Sequence, residues 1–355
     1  MKDITQAYTK GNERAKTIIA EMKAGKRDHG LDFTDEVNSG KVRIAEMIGT
    51  DDGATEFISK VTVDAYQGRE QIPLLYKRFY RTISDSSLPK LLEAYEFGNA
   101  QVVFLEHLEG GEVRFGQMAP GTKKVVEIKS YAAGLEFSKE MLDFNQVWNI
   151  SEAAQDFGIS YSKLLNHLHL APITTATYSK AVGATLAEQK KAQEGDQAHQ
   201  IGAVAQKIEF NSNITQTLQD ALTVLPAGNV LLVNSADLFE LHKAIKGAMY
   251  SDTSPMLIKQ MFNNDNTFVV YDGETVVVGG QDYTYTGVAP GTAYLLTDSK
   301  RNFREYIKQD LQIMQETGDL SRLIATQMVG QAYRGVFAAI GGKYGAVKVE
   351  LAAST

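Results

Sequence analysis

An α+β fold is what this sequence predicts, and three observations predict it. Helical spacing of apolar residues and strand-like alternation are interleaved along the chain instead of being segregated into halves. Strand-like runs repeatedly flank glycine-bearing turns, as in QVVFLEHLEGGEVRFGQ and TFVVYDGETVVVGG. No internal repeat or low-complexity linker separates the pieces, so they interleave instead of forming beads on a string. The 355 residues suffice for two or three compact units, and 43% apolar with 22% charged residues is an ordinary globular composition. A net charge of −7 argues against general nucleic-acid binding, which needs clustered Lys and Arg. The absence of cysteine excludes disulfides, thiolate metal sites and cysteine nucleophiles. The opening MKDITQAYTKGNERAK has no signal-peptide apolar core, and no run has membrane-spanning length, so synthesis in a cytoplasm is expected.

From Met1 to about Gly53 the chain is polar and broken by glycines. One modest amphipathic helix is expected from Glu13 to Lys23, with Ile18, Ile19 and Met22 as its apolar stripe. Too few large apolar residues follow for this segment to fold alone, so it reads as an arm lying on another surface. Further on, runs flanking Gly110-Gly111, followed by Gly116, Pro120 and Gly121, predict a long hairpin or extended loop. Its polar middle makes it marginal by itself, so it needs a neighbour from this chain or another.

In VVEIK, Val126 and Ile128 share one strand face and Glu127 and Lys129 the other. Leu135 and Phe137 have the opposite parity, which predicts a bulge near Ala133-Gly134. Ser138 is placed to cap a helix whose first turn carries Glu140 and Asp143. Met141, Phe144, Val147 and Trp148, then Ala154, Phe157, Tyr161, Leu164, Leu165 and Leu168, continue at helical spacing, with the aromatics read as core. Asn149 and Glu152 suit a capping box and Gly158 weakens continuity, so a short helix and then a long one are expected, ending before Pro172. A surface helix and loop follow to about Gln206. NITQTLQDALTVL is amphipathic; NVLLVNSADLFELHKAIKG reads as a buried strand, a cap at Asn234 or Ser235, and a helix closed by Gly247. TFVVYDGETVVVGG predicts a hairpin with an Asp-Gly turn, and YTYTG, AYLLTD and REYIKQDLQIMQ further strands. The end is ambiguous between helix and strand up to Ala339 and then finishes as a strand.

Motifs for chemistry are missing. GGKYG at Gly341 lacks the leading glycine and hydroxyl residue of a phosphate loop, and no dinucleotide, zinc-protease or nucleophile-elbow signature occurs. His167 and His169 are two apart on a helix, so they face different sides and read as partly exposed histidines, not a metal pair. Asn263 to Asn266 lacks calcium-loop spacing and reads as a turn. No catalytic, metal or cofactor residue is therefore assigned.

The order of VVEIKSYAAGLEFSKEMLDF, then NVLLVNSADLFELHKAI, then MVGQAYRGVFAAIGGKYGAVKVEL resembles the major capsid proteins of tailed bacteriophages, with the Hong Kong 97-type fold. The resemblance covers about residue 55 to the end, and includes a strand arginine (Arg334) and a terminal strand with Ala346, Val347 and Val349. It implies an N-terminal arm over 1–55 and an extended E-loop hairpin over 96–125. It also implies a peripheral domain with a long spine helix (56–95, 126–224, 311–340) and an axial domain (225–310, 341–355). Self-assembly into pentamers and hexamers would then build an icosahedral phage head around double-stranded DNA that is contained without sequence-specific binding. Scaffolding, portal and decoration proteins are implied partners, no membrane or cofactor is, and the head would be assembled in the host cytoplasm. The E-loop residues Glu106, Glu109, Glu112, Arg114 and Phe115 would contact a neighbouring subunit. Some members of the family weld subunits through an E-loop lysine, but no lysine lies between Lys90 and Lys123, so noncovalent assembly is expected. Two alternatives stand beside this: an encapsulin-like compartment shell, and a soluble α/β enzyme or binding module.

Overall fold

The computed structural model describes residues 4–25, 44, 51–95, 123–144, 146–180, 206–225, 228–250, 268–278, 281–298, 300, 302–317, 324–340 and 345–352. In chain order, α1 (Ile4–Lys23) and α2 (Asp51–Gln71) lead through a 3-10 turn (Leu75–Arg78) to β1 (Arg81–Ser84) and β2 (Leu91–Tyr95). Then come β3 (Lys123–Glu127), β4 (Lys129–Ser138), α3 (Lys139–Asp143) and the long α4 (Val147–Thr174). After β5 (Ser179–Lys180) and β6 (Gln206–Ile208) follow α5 (Ile214–Val224), β7 (Val230–Val233) and α6 (Leu238–Tyr250). The last part holds β8 (Phe268–Val270), β9 (Gly273–Val278), β10 (Gln281–Thr286), β11 (Thr292–Leu296), β12 (Phe303–Thr317), β13 (Ile324–Ala338) and β14 (Ala346–Glu350).

Two larger sheets organise these elements. One has the order β1-β12-β13-β4; the other runs β5-β6-β14-β11-β7-β8. In the second, Leu231, Val233, Ala293, Leu295, Val347 and Val349 face α5 and α6. Val230, Leu232, Tyr294 and Leu296 face the C-terminal half of α4 through Leu165, Leu170 and Ile173. Burial on both faces explains why NVLLV and AYLL are continuous apolar runs with no alternation. On one face of the four-stranded sheet, Phe137, Ile313 and Met328 pack with Ile150, Ala154 and Phe157 of α4 and Phe57, Val61 and Ala65 of α2. The antiparallel pair β2 and β3 packs Ala94 and Val126, with Ile128, against Tyr306 and Phe337.

α4 is a continuous helix of 28 residues, about 42 Å long at 1.5 Å per residue. It does not break at Gly158, because that glycine serves packing: a Cβ there would sit 1.8 Å from the Ala65 carbonyl oxygen of α2. Gly68 of α2 reciprocates, its Cβ position lying 2.0 Å from the Gln155 carbonyl oxygen of α4. The paired glycines let the two backbones touch, and α2 itself went unread in the polar, glycine-bearing sequence of that region. Nor does α4 stop before Pro172. That proline sits in the last turn, where the Thr175 hydroxyl donates to the Ala171 carbonyl at 2.6 Å and covers an acceptor near the helix end. The expected Asn149–Glu152 capping box does not form, because the helix starts earlier and Asn149 donates instead to the Gln146 side chain at 2.7 Å.

Other local expectations are met or corrected in detail. Ser138 caps α3, its hydroxyl accepting from Met141 N–H. Asn213 caps α5 and Asn234 accepts from Ala236 N–H. The parity change between Val126 and Phe137 is real, but it falls at Ile128, where β3 ends and β4 begins; β4 pairs with β13 in even register through Ala133-Gly134. Helix α6 passes through Gly247, next to which a Cβ would meet open space. β8 and β9 are not a hairpin: β8 joins β7 in the six-stranded sheet, whereas β9 pairs with β10. The Asp272-Gly273 step is the exit between them, with Gly273 at φ 76° and no room for a Cβ against Tyr285. The ambiguous C-terminal run is strand β13, and α1 begins at Ile4, well before Glu13.

Candidate assembly surfaces and a buried ionic joint

The strand arginine singled out in the sequence, Arg334, is 2% exposed and stands at the centre of an ionic joint. Its guanidinium donates to Glu305 and Asp310 of β12, and its Nε donates to the Tyr161 hydroxyl of α4 at 2.8 Å. Glu305, 1% exposed, also accepts from the Tyr76 hydroxyl at 3.1 Å and the Thr82 hydroxyl at 3.0 Å. Asp310 accepts from Tyr161 at 3.2 Å and from Arg69 of α2 at 3.1 Å. Arg334 and its two carboxylate partners therefore tie α2, the 3-10 turn, β1, α4, β12 and β13 together.

Local backbone geometry makes this convergence possible. In a regular strand, residues 305 and 310 would point to opposite faces. β12 carries register shifts between Ile307 and Gln309 and between Gln309 and Gln312. The first extra residue reverses the parity, which turns Asp310 to the same side as Glu305. Asp310 then also accepts from its neighbour Leu311 N–H at 2.9 Å.

Electrostatics follow from the packing. Burial pushes the Glu305 carboxyl up, but the His169 ring, Arg334 and Thr82 outweigh it and hold its pKa down at about 2. Asp310 differs in being half-exposed at its side chain; the desolvation of its surroundings is overcome by Arg69 and Arg334, which hold it at about 2. Burial raises Tyr161 to about 12, keeping its hydroxyl protonated and able to donate to Asp310. An open cleft of about 440 Å³ lined by Arg69, Lys77, Thr82, Glu305, Asp310 and Arg334 reaches the joint.

His169 corrects the expectation of two partly exposed histidines. It is fully buried, its Nδ1 at 2.6 Å from the Leu165 carbonyl oxygen and its Nε2 at 3.3 Å from Glu305, and Tyr76 stacks on its ring at 3.6 Å. His167 is half-buried and stacks on Tyr285 of the β9–β10 hairpin. The pair faces different sides, as the spacing dictated. Among the described residues no group of three His, Asp or Glu could hold a metal ion, and no helix is long and apolar enough to cross a membrane.

Surface features complete the picture. Phe144 and Trp148, read as core from their spacing, are 72% and 60% exposed at the α3–α4 junction. The helical stripe predicts a side, but the inward side at this junction is filled by Leu142 and Ile150. Leu91 and Val125 on the β2–β3 stem and Phe239 on α6 are also exposed. Glu106, Glu109, Glu112, Arg114 and Phe115 lie outside the described residues, as do Asn263 to Asn266 and the Gly341 run. The joint residues Glu305, Asp310, Tyr161 and Tyr76 were missed. The signal available was charge inside two strand-like runs, Arg304 and Glu305 in FREYI and Arg334 in AYRGVF.

Such an arrangement braces a fold: its arginine and carboxylates are engaged with one another and with the hydroxyls around them. Comparison with known proteins agrees. Residues 121–349 match the family described as phage capsid protein. The chain belongs to that family: it is a structural protein and not an enzyme, a capsid component that acts as multimers and resides in the virion. Among solved structures it is similar to a virus-like particle from Pyrococcus furiosus, at 12% identity and TM-score 0.48 over 82% of this chain and 98% of that one. Mycobacterium phage Cain gives 12% identity and TM-score 0.40 over 79% and 90%, and the mature capsid of bacteriophage PhiM1 gives 11% and 0.42 over 77% and 86%. No curated protein matches.

Proposed function

We propose that this chain is the major capsid protein of a tailed phage, with a Hong Kong 97-type tile that closes as pentamers and hexamers into an icosahedral head around double-stranded DNA. The observation that carries this is the family match over residues 121–349, which runs from the end of the expected E-loop to the terminal strand. In this reading residues 1–55 are the arm and 96–125 the E-loop, with Glu106, Glu109, Glu112, Arg114 and Phe115 lying across a neighbouring subunit. The peripheral domain comprises 56–95, 126–224 and 311–340, and the axial domain 225–310 and 341–355. The exposed Phe144 and Trp148 are covered by adjacent copies in the shell. A net charge of −7 suits a wall that must release its genome, since strong phosphate contacts would impede filling and ejection. With no lysine between Lys90 and Lys123, the copies are held without covalent welding, and many modest contacts sum by symmetry. Assembly takes place in the host cytoplasm, with scaffolding, portal and decoration proteins as the partners of such a head.

The test is negative-stain electron microscopy and size exclusion of the chain expressed alone and with its neighbouring genes. Closed shells, or free pentamers and hexamers, are expected. A persistent monomer under both conditions overturns the reading, and shells loaded with a co-purifying enzyme move it to a compartment shell.

A further inference from the structure

The ten-residue strand β4 is the outer strand of the four-stranded sheet, and among the described residues nothing pairs with its side away from β13. Only Phe137 of its residues is buried. An edge strand turns every second N–H and C=O outward, ready to pair with another strand. Folds normally blunt such edges, and the other outer strands of the two larger sheets are short: four residues in β1, two in β5, three in β8. β4 is long, and from Ser130 to Leu135 it carries no proline and no charge.

Gly134 sharpens the point. Its φ is not positive, and a Cβ there would meet only the Met328 carbonyl oxygen at 3.6 Å, an ordinary contact. Packing among the described residues thus gives no reason for a residue that weakens a strand by roughly 0.5–1 kcal/mol relative to alanine. Glycine inside a strand is expected where another backbone approaches closely.

We propose that β4 pairs antiparallel with β4 of a second copy across a two-fold axis at Ala133, fusing two four-stranded sheets into one. The inference rests on the assembly reading above, which supplies the second copy. The sequence is self-complementary in this register. Ala133 faces Ala133, Ala132 faces Gly134, Tyr131 faces Leu135, and Ser130 faces Glu136. Small residues meet where the backbones are closest, apolar residues meet on the side where Leu135 joins the core, and no like charges oppose. The interface is isologous, as a two-fold contact requires.

Because the chain has no cysteine, a single introduced one reports the register directly. In shells of Ala133→Cys the paired Cα atoms are about 4.5–5.5 Å apart, inside the roughly 4.4–6.8 Å span of a disulfide. Mild oxidation should convert most of the protein to a dimer on a non-reducing gel. In Ser130→Cys shells the equivalent residues stand about 20 Å apart along the strands, and the protein should stay monomeric. Ala132→Cys and Gly134→Cys should cross-link when co-assembled and not separately, which also reads the register if Ala133→Cys assembles poorly. Shells that form but give only monomer from Ala133→Cys and from the mixture overturn the pairing and leave the capsid reading standing. Equal cross-linking at Ser130→Cys also overturns it. If the unmodified chain forms no shells or capsomers, it is the assembly reading that fails.

Discussion

The two large sheets are built on opposite principles. In the six-stranded sheet, every residue of β7 and β11 is buried, and both faces meet apolar side chains. In the four-stranded sheet the outer face is covered by β2 and β3 only at its Tyr306–Phe337 end, leaving Met314 and Val329 38% and 36% exposed, and the inner face is tied by Arg334, Glu305 and Asp310. Apolar burial stabilises without direction. The ionic joint contributes direction instead: its bonds hold only when β12, β13 and α4 keep one relative placement. Among the described residues that is also the sheet whose outer strand β4 has an unpaired edge.

Breaking the joint should have the largest effect. Arg334→Ala leaves Glu305 buried and unpaired, and the expected loss is about 3–5 kcal/mol of unfolding free energy in denaturant titration. Arg334→Met should recover little, because the orphaned carboxylate remains. Arg334→Met combined with Glu305→Leu should recover most of the loss, since the uncompensated charge is gone. In the apolar sheet, Leu231→Met keeps volume and should cost less than about 1.5 kcal/mol. Equal tolerance of Met at Arg334 and Leu231 would show that the two sheets are not built differently.

Acid should also separate the sheets. Glu305 titrates near 2 in the folded chain against an ordinary 4.5, so the unfolded chain binds its proton first as pH falls. Its contribution is present above pH 4.5, shrinks below that value and is gone by about pH 2. The shift corresponds to about 3 kcal/mol at most. Denaturation midpoints measured between pH 6 and pH 2 should fall less steeply in Glu305→Gln than in the unaltered chain. Parallel pH slopes in the two proteins would remove Glu305 as the cause.

What could be read from sequence tracks this same division. Continuous apolar runs marked β7 and β11, and Ser138 and Asn234 marked helix starts through local cap chemistry. The bulges of β12 were illegible, because they arise from pairing with β13 and leave no local signature. Arg334 could be flagged, but its partners could not, since they converge from two other elements, β12 and α4. Gly158 shows the opposite failure: its local meaning, a weak point, is overridden by contact with Ala65. Periodicity at Phe144 and Trp148 named the face of a helix but not whether this chain covers it.

The glycine contact gives the next effect in size. Gly158→Ala places a methyl group 1.8 Å from the Ala65 carbonyl, so α2 and α4 must separate. Overpacking of this kind costs about 1–3 kcal/mol, visible as a lowered midpoint. Gly247→Ala, with open space at its Cβ and a position inside α6, should instead gain up to about 1 kcal/mol from helix propensity. A similar response at both positions would mean that the close approach of α2 and α4 is not what fixes Gly158.

The smallest effect on the single chain should come from Phe144 and Trp148, and it is the most telling for function. Both are largely exposed, so Phe144→Ser and Trp148→Ser should change unfolding free energy by no more than about 0.5 kcal/mol. They follow directly on β4, at the junction of α3 and α4. If adjacent copies cover them, the same substitutions should sharply reduce the yield of closed shells while circular dichroism and the denaturation midpoint stay unchanged. An apolar pair in water gains nothing for a monomer, whereas in a shell the contact repeats in every copy, so a small loss per copy is multiplied by the symmetry. Normal shell yield from the double variant would leave these two aromatics outside the contacts between copies.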